Sequence, residues 1–385
     1  MTRKTGLFTN RPDRWFMVDE VLKVIIAGGG TGGHLFPGVA IAEEFLKRGA
    51  TSVLFVITGK KLEKDILGER GFNYRTIRIA GFKGKGLQKA LGALCQLPGS
   101  MWESYRIIRE FHPQLVIGVG GYASGPVVLA AHLMGIKTAV AEQNALPGLA
   151  NRILGKFVDK VFLTYRESRK WFPVRAKVIV TGNPVRADFI SGQGSKKDKD
   201  GRFTILTFGG SQGARSINRA LLRAVMQLRN EIPNLRIIHQ TGQDDLNYVT
   251  DAYRTYGIEA EVLPFIRDMA AAYRDADLVV CRAGATSIAE VTVMGKAAIL
   301  VPFPFAVDDH QKKNALELVK AGAAMMVEER ELTSTDLAET IKKLYYEREV
   351  LRDMEMKAAR LGNVRAAADI VDNCLDLSGS HRGKN

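Results

Sequence analysis

From Val21 onward, short aliphatic and β-branched runs alternate with segments of helical period. "VLKVIIAGG", "SVLFVITG", "QLVIGVGG", "KTAVAEQN", "KVFLTY" and "KVIVTGNP" come first, and "FTILTFGG", "LRIIHQTG", "EAEVLPF", "ADLVVCRAG" and "KAAILVPFP" follow after Arg202. The runs are nearly continuous rather than alternating, the mark of strands buried on both faces of a parallel sheet. A rhythm that restarts predicts two doubly wound, Rossmann-like α/β domains, and 385 residues can build two cores. Residues 21–181 form the first domain in this reading, 182–201 a linker, 202–362 the second domain, and 363–385 a helix returning towards the first domain, with a tail. The stretch Ile190 to Gly201, "ISGQGSKKDKDG", marks the linker by its glycines and charges.

Gln114 to Ile136 holds no charged Lys, Arg, Asp or Glu and is long enough to span a bilayer. Its central "GVGGYASGP" would break a lipid-exposed helix, whereas a buried strand, a glycine turn and a buried helix account for the same residues. Residues 1–20 are polar and broken by charge, which predicts a flexible extension without the apolar core of a secretory signal. The three cysteines, Cys95, Cys281 and Cys374, are widely separated and suggest neither a disulfide framework nor a zinc ribbon. A net charge of +14 draws anions to the surface. No nucleic-acid motif or aromatic stacking series accompanies it, so nucleic acid is not an expected partner.

Open parallel sheets bind ligands beyond the carboxyl ends of their strands. Here those ends carry glycine and polar residues in both halves, so the two domains should face one another across a cleft. Gly28-x-Gly30-x-x-Gly33 satisfies the dinucleotide fingerprint, yet the second strand ends in Thr58, Gly59 and two lysines where a ribose-binding acid belongs. That weakens a nicotinamide reading. Glycines that let backbone N–H groups approach a phosphate at a helix start fit equally well, and "GGSQGA" around Ser211 repeats the device. In "CRAGATSIAE", Ala285, Thr286 and Ser287 open a helix, and Glu290 lies a turn inside it. The helix start suits a diphosphate and the carboxylate suits two ribose hydroxyls. The acidic pairs Asp198/Asp200, Asp275/Asp277 and Asp308/Asp309 complete no ligand shell, so no metal is expected.

In this order, "GGGTGGH", "GGYASGP", "AEQNALPGLANR", "TGNPVR", "GGSQGARSIN", "RAGATSIAE" and "DDHQKKNA" make the chain resemble the peptidoglycan N-acetylglucosaminyltransferases of glycosyltransferase family 28, two-Rossmann-domain (GT-B) enzymes. The resemblance runs from about Val21 to the C-terminal helices. It implies inverting transfer of N-acetylglucosamine from UDP-N-acetylglucosamine to the 4-hydroxyl of the muramic acid in undecaprenyl-pyrophosphoryl-MurNAc-pentapeptide (lipid I), giving lipid II, without a cofactor. By the same resemblance, Ile266 meets the uracil through its backbone and Glu290 takes the ribose. Ser211, Arg186 and Ala285 to Ser287 surround the diphosphate, Gln311 binds sugar hydroxyls, and Thr31, Gly32, Gly33 and Asn144 close over sugar and acceptor. The attacking hydroxyl needs a base; His34 is the first candidate and Glu142, at a parallel strand end, the second.

A lipid acceptor gives meaning to Gly81 to Trp102. Leu87, Leu91 and Leu94 share one helical face, with Lys83, Lys85 and Lys89 beside them and Phe82 and Trp102 flanking, a pattern suited to shallow insertion at an anionic membrane surface. An amphipathic helix covering the sheet explains the spacing as well. The resemblance places the protein peripherally on the cytoplasmic face of the cell membrane, with cell-wall synthesis or division proteins as candidate partners. A UDP-sugar epimerase or another GT-B transferase would share the second-half loops.

Overall fold

The computed structural model describes residues 21–49, 51–79, 87–191 and 201–379, with the side chains of 87–96 and of 307 left out of the description. The extension 1–20, Phe82, Lys83, Lys85 and most of the charged linker stretch lie outside the described residues.

Seven parallel strands form the first sheet: β1 (Leu22–Ala27), β2 (Thr51–Ile57), β3 (Asn73–Thr76), β4 (Leu115–Gly118), β5 (Lys137–Glu142), β6 (Lys160–Leu163) and β7 (Val178–Val180), in the order β3-β2-β1-β4-β5-β6-β7. Six more form the second: β8 (Phe203–Phe208), β9 (Leu235–Gln240), β10 (Glu259–Leu263), β11 (Leu278–Cys281), β12 (Ala297–Leu300) and β13 (Ala324–Met326), in the order β10-β9-β8-β11-β12-β13. In each sheet the winding direction reverses once, between β1 and β4 and between β8 and β11. Those switch points open the crevices in which doubly wound folds bind ligands. The four strands that flank them end in Gly28, Gly118, Gly209 and the Arg282–Gly284 loop, so the topology gathers the glycine-rich turns without further help.

Each sheet has apolar layers on both faces. In the first domain Val24, Ile26 and Phe55 face one cluster and Ile25, Val56 and Val116 the other, which is why the runs read as continuous rather than alternating. Gln114 to Ile136 resolves into β4, a glycine turn and the helix Ser124–Leu133. Among the described residues no helix is long and apolar enough to cross a membrane.

Two strands were not legible in the pattern. β3 is an edge strand whose Asn73, Arg75 and Thr76 are exposed, and β13 is an edge strand of three residues. Such edges bury too little to leave an apolar run. Residues 182–191, the described first part of the expected linker, are less open than a solvated loop: Val185 and Phe189, the latter on the short helix Ala187–Ser191, are buried in the second domain's core. At the far end, the helix Ala366–Ser378 returns to the first domain, where Ile370, Val371 and Cys374 join the cluster containing Leu22 and Phe45. The chain thus crosses between the lobes twice.

Candidate active site

In the first lobe, Gly29 (φ +137°) and Gly30 (φ +92°) take backbone conformations open to glycine, and a Cβ on Gly28 would stand 2.5 Å from Val119 and 2.7 Å from the Gly120 carbonyl. Only bare backbone lets the β1 and β4 turns pass this close. Buried Glu63 stiffens the turn from below, accepting from Gly30 N–H, from Lys60 N–H at 2.9 Å and from Thr58 Oγ1 at 2.9 Å. The helix Gly32–Lys47 starts immediately afterwards, so His34 stands in a first helical turn rather than on a loop.

The His34 ring is half-buried, with Nδ1 3.3 Å from Gln143 Oε1. Gln143 donates its own amide to the Ala141 carbonyl at 3.1 Å. That leaves Oε1 to accept, so Nδ1 carries the proton in the neutral ring and Nε2 keeps a lone pair. Burial lowers the His34 pKa below the ordinary histidine value; the Glu142 charge and hydrogen bonds to Gln143 and Val119 pull it back up, and His310 from the other lobe lowers it. Burial is the largest of these influences, so the neutral ring is favoured.

Glu142 differs sharply. It is buried, and both carboxylate oxygens are engaged: Oε1 accepts from Asn144 N–H at 2.9 Å and Asn144 Nδ2 at 3.1 Å, and Oε2 from Gly148 N–H at 3.0 Å and Asn151 Nδ2 at 2.8 Å. Four donors from the loop after β5 converge on one side chain.

In the second lobe Gly210 and Gly213 have positive φ, and a Cβ on Gly213 would stand 1.8 Å from the Thr241 carbonyl. Gln240 at the end of β9 ties two ligand loops together, donating to the Gly210 carbonyl at 2.7 Å and accepting from Ile266 N–H at 3.1 Å. Ser211 is exposed at the tip of its turn. The helix Ala285–Val293 makes its first backbone bond from Ile288 N–H to the Gly284 carbonyl. The amides of Ala285, Thr286 and Ser287 are therefore the donors a helix start leaves unused. Glu290, one turn on, is buried with Arg186 at 3.5 Å and the Tyr273 hydroxyl at 3.5 Å. Burial pushes its carboxyl up to about 7, with Arg186 pulling the other way. Gln311 Oε1 accepts from Phe303 N–H at 2.9 Å.

The lobes meet at these same residues. Pro37 has no N–H to give the Gly33 carbonyl four residues earlier, and Thr286 Oγ1 of the second lobe donates there instead, at 3.1 Å. Asn314, fully buried on the helix His310–Lys320, accepts from Ala145 N–H at 2.8 Å and donates to Asn144 Oδ1 at 3.2 Å. A polar chain Glu142–Asn144–Asn314 thus crosses the cleft.

Of the residues expected at the site, Gly33 meets Thr286, Asn144 meets Asn314 and Arg186 meets Phe36 from one lobe to the other, and Glu290 lies beside Arg186. Sequence reasoning missed Gln143, Gln240, Asn314 as an inter-lobe contact, and Glu63. Gln143 and Gln240 end apolar runs as polar residues, the signal that could have found them; nothing in the pattern marks Glu63. Asp308 and Asp309 have left-handed backbones (φ 52° and 54°), and among the described residues no group of three His, Cys, Asp or Glu side chains could hold a metal ion.

Two parallel-sheet lobes presenting glycine turns and helix starts to a shared cleft define the GT-B fold. Residues 24–163 match the glycosyltransferase family 28 N-terminal domain and 204–373 the family 28 C-terminal domain. A relative from Syntrophus aciditrophicus, named as UDP-N-acetylglucosamine--N-acetylmuramyl-(pentapeptide) pyrophosphoryl-undecaprenol N-acetylglucosamine transferase, is 56% identical over 92% of this chain and 99% of its own. The crystal structure of Acinetobacter baumannii MurG superposes with a TM-score of 0.74 at 33% identity, covering 92% of this chain and 99% of that one. The Neisseria meningitidis UDP-GlcNAc 2-epimerase shares the fold (TM-score 0.66, 14% identity, covering 92% of this chain and all of that one). The chain belongs to glycosyltransferase family 28, in its MurG branch, and is a glycosyltransferase.

Proposed function

We propose that the protein transfers N-acetylglucosamine from UDP-N-acetylglucosamine to the 4-hydroxyl of the muramic acid in lipid I, forming lipid II with inversion. The observation that carries this reading is that the second lobe's helix start and buried arginine meet the first lobe at Gly33 and Phe36, on either side of the half-buried His34 in the chain. His34 Nε2 takes the proton of the acceptor hydroxyl as its oxygen attacks the anomeric carbon, and the bond to the UDP oxygen breaks on the opposite face. The negative charge that develops on UDP falls to the Ala285–Ser287 amides, to Ser211 and to Arg186. Glu290 accepts from the ribose hydroxyls, Gln311 holds sugar hydroxyls through its amide, and the Ile266 carbonyl faces the uracil, since its N–H is engaged by Gln240.

Incubating the protein with radiolabelled UDP-N-acetylglucosamine and a lipid I analogue tests the reading. Label in the lipid, in β-linkage, and undiminished by a metal chelator, is the expected result. UDP and free N-acetylmannosamine with unlabelled lipid would mark an epimerase instead.

Glu290 makes the donor site pH-dependent. The buried carboxyl favours its neutral form, so its contribution to stability is complete below the ordinary carboxyl pKa and is lost as pH rises through about 7. The ionised form accepts from both ribose hydroxyls more strongly than the neutral acid, one of whose oxygens carries a proton. Donor affinity therefore rises about tenfold between pH 6 and 8. Calorimetric titration at several pH values checks this; an affinity flat across the range would remove Glu290 from the ribose.

The lipid acceptor calls for a membrane-facing surface. Trp102 is exposed and stacked on Tyr105. Leu87, Lys89, Leu91 and Leu94 lie on the same helix, Leu87–Phe111. Other exposed apolar side chains support the reading: Leu133, Leu149, Ile153, Phe157, Trp171 and Val174 are exposed, with Arg152 over the Trp171 ring at 5.2 Å and Lys156, Lys170 and Arg175 exposed beside them in sequence. Apolar side chains set among cations suit an anionic interface. Ile153→Glu is expected to weaken sedimentation with anionic vesicles severalfold; equal binding of the wild type to neutral vesicles would contradict the electrostatic part.

A further inference from the structure

Arg186 is only 6% exposed, and its surroundings are poorly matched to a guanidinium. Its Nη2 lies 3.5 Å from Glu290 Oε1, longer than a good charge-assisted hydrogen bond. Its Nε is buried without a hydrogen-bond partner among the described residues. Buried donors are normally satisfied, so this group is poised for a further anion.

What holds it is aromatic. The guanidinium carbon sits 4.4 Å from the centre of the Phe36 ring and 4.9 Å from that of Phe189. The two rings come from different lobes. Phe189 packs edge-on against Tyr273 in the second lobe's core. Phe36 stands on the Gly32–Lys47 helix two residues after His34, and a Cβ on Gly32 would approach its ring to 3.1 Å. Further along that helix, Glu43 accepts from Ala187 N–H at 3.3 Å and pairs with Arg70, which reaches Asp188 at 3.1 Å. The segment bearing Arg186 is thereby fastened to the acceptor lobe. A ring face attracts the cation without consuming its N–H donors, whereas a full carboxylate fork would neutralise it.

We propose that Phe36, from the acceptor lobe, is a positioning residue for donor binding: its ring holds Arg186 with N–H groups free for the donor's diphosphate, so donor affinity depends on the lobes being together. This rests on the donor reading given above.

The test measures UDP binding by calorimetry in the whole protein with Phe36→Leu and, as a shape-preserving second variant, with pentafluorophenylalanine at position 36, whose ring face repels cations. Both are expected to bind UDP about tenfold more weakly, with the KM for the lipid acceptor unchanged. Wild-type UDP affinity in either variant, or a loss confined to acceptor KM and kcat, would overturn the role of Phe36 alone. Failure of the wild type to bind UDP would overturn the donor reading itself.

Discussion

His34→Ala is expected to lower turnover by roughly a hundred- to ten-thousand-fold, the span over which a positioned general base contributes, while UDP affinity should stay close to that of the wild type. The two effects separate because His34 sits on the acceptor lobe and the diphosphate donors on the other. Burial favours the neutral ring, and the Gln143 oxygen, its amide being spent on Ala141, favours the proton on Nδ1. The acid limb of the pH–rate profile should accordingly fall below the ordinary histidine value. His34→Gln restores shape without basicity and should be as slow as alanine. Steady-state kinetics beside UDP titration decide the matter; near-normal turnover in either variant would remove the imidazole from proton transfer.

The second large effect separates organising from catalysis at Glu142. A carboxylate accepting from four loop donors has no lone pair held in reserve, so its replacement should act first on structure. Glu142→Gln turns one acceptor oxygen into an amide that faces donors, leaving buried N–H groups unpaired at roughly 2–4 kcal/mol in total. The expected result is a melting temperature lowered by several degrees together with reduced turnover, because the Asn144–Asn314 link across the cleft is anchored on this side chain. Unchanged melting with abolished turnover would instead return Glu142 to the role of base.

Continuous apolar runs revealed the two parallel sheets because their central strands are covered on both faces. The same physics hid β3 and β13, whose edge positions demand no such run. Glycine turns were legible because a close approach of two backbones permits nothing larger, as at Gly28 against Gly120 and at Gly213 against Thr241. Partnerships across the cleft were not. Asn314 is one residue of "DDHQKKNA", and only folding sets it against Asn144; nothing in the pattern gives Phe36 a partner, yet its ring faces an arginine 150 positions away. The sequence pattern likewise could not distinguish His34 from Glu142 as base, since that choice rests on how many donors each side chain already serves.

A structure determined with UDP bound decides which lobe seats the nucleotide. The diphosphate is expected within hydrogen-bond reach of the Ala285–Ser287 amides and Arg186, the ribose hydroxyls on Glu290, and His34 Nε2 facing the space in front of the diphosphate. A nucleotide seated instead on the Gly28–Gly33 turn of the first lobe would contradict that placement.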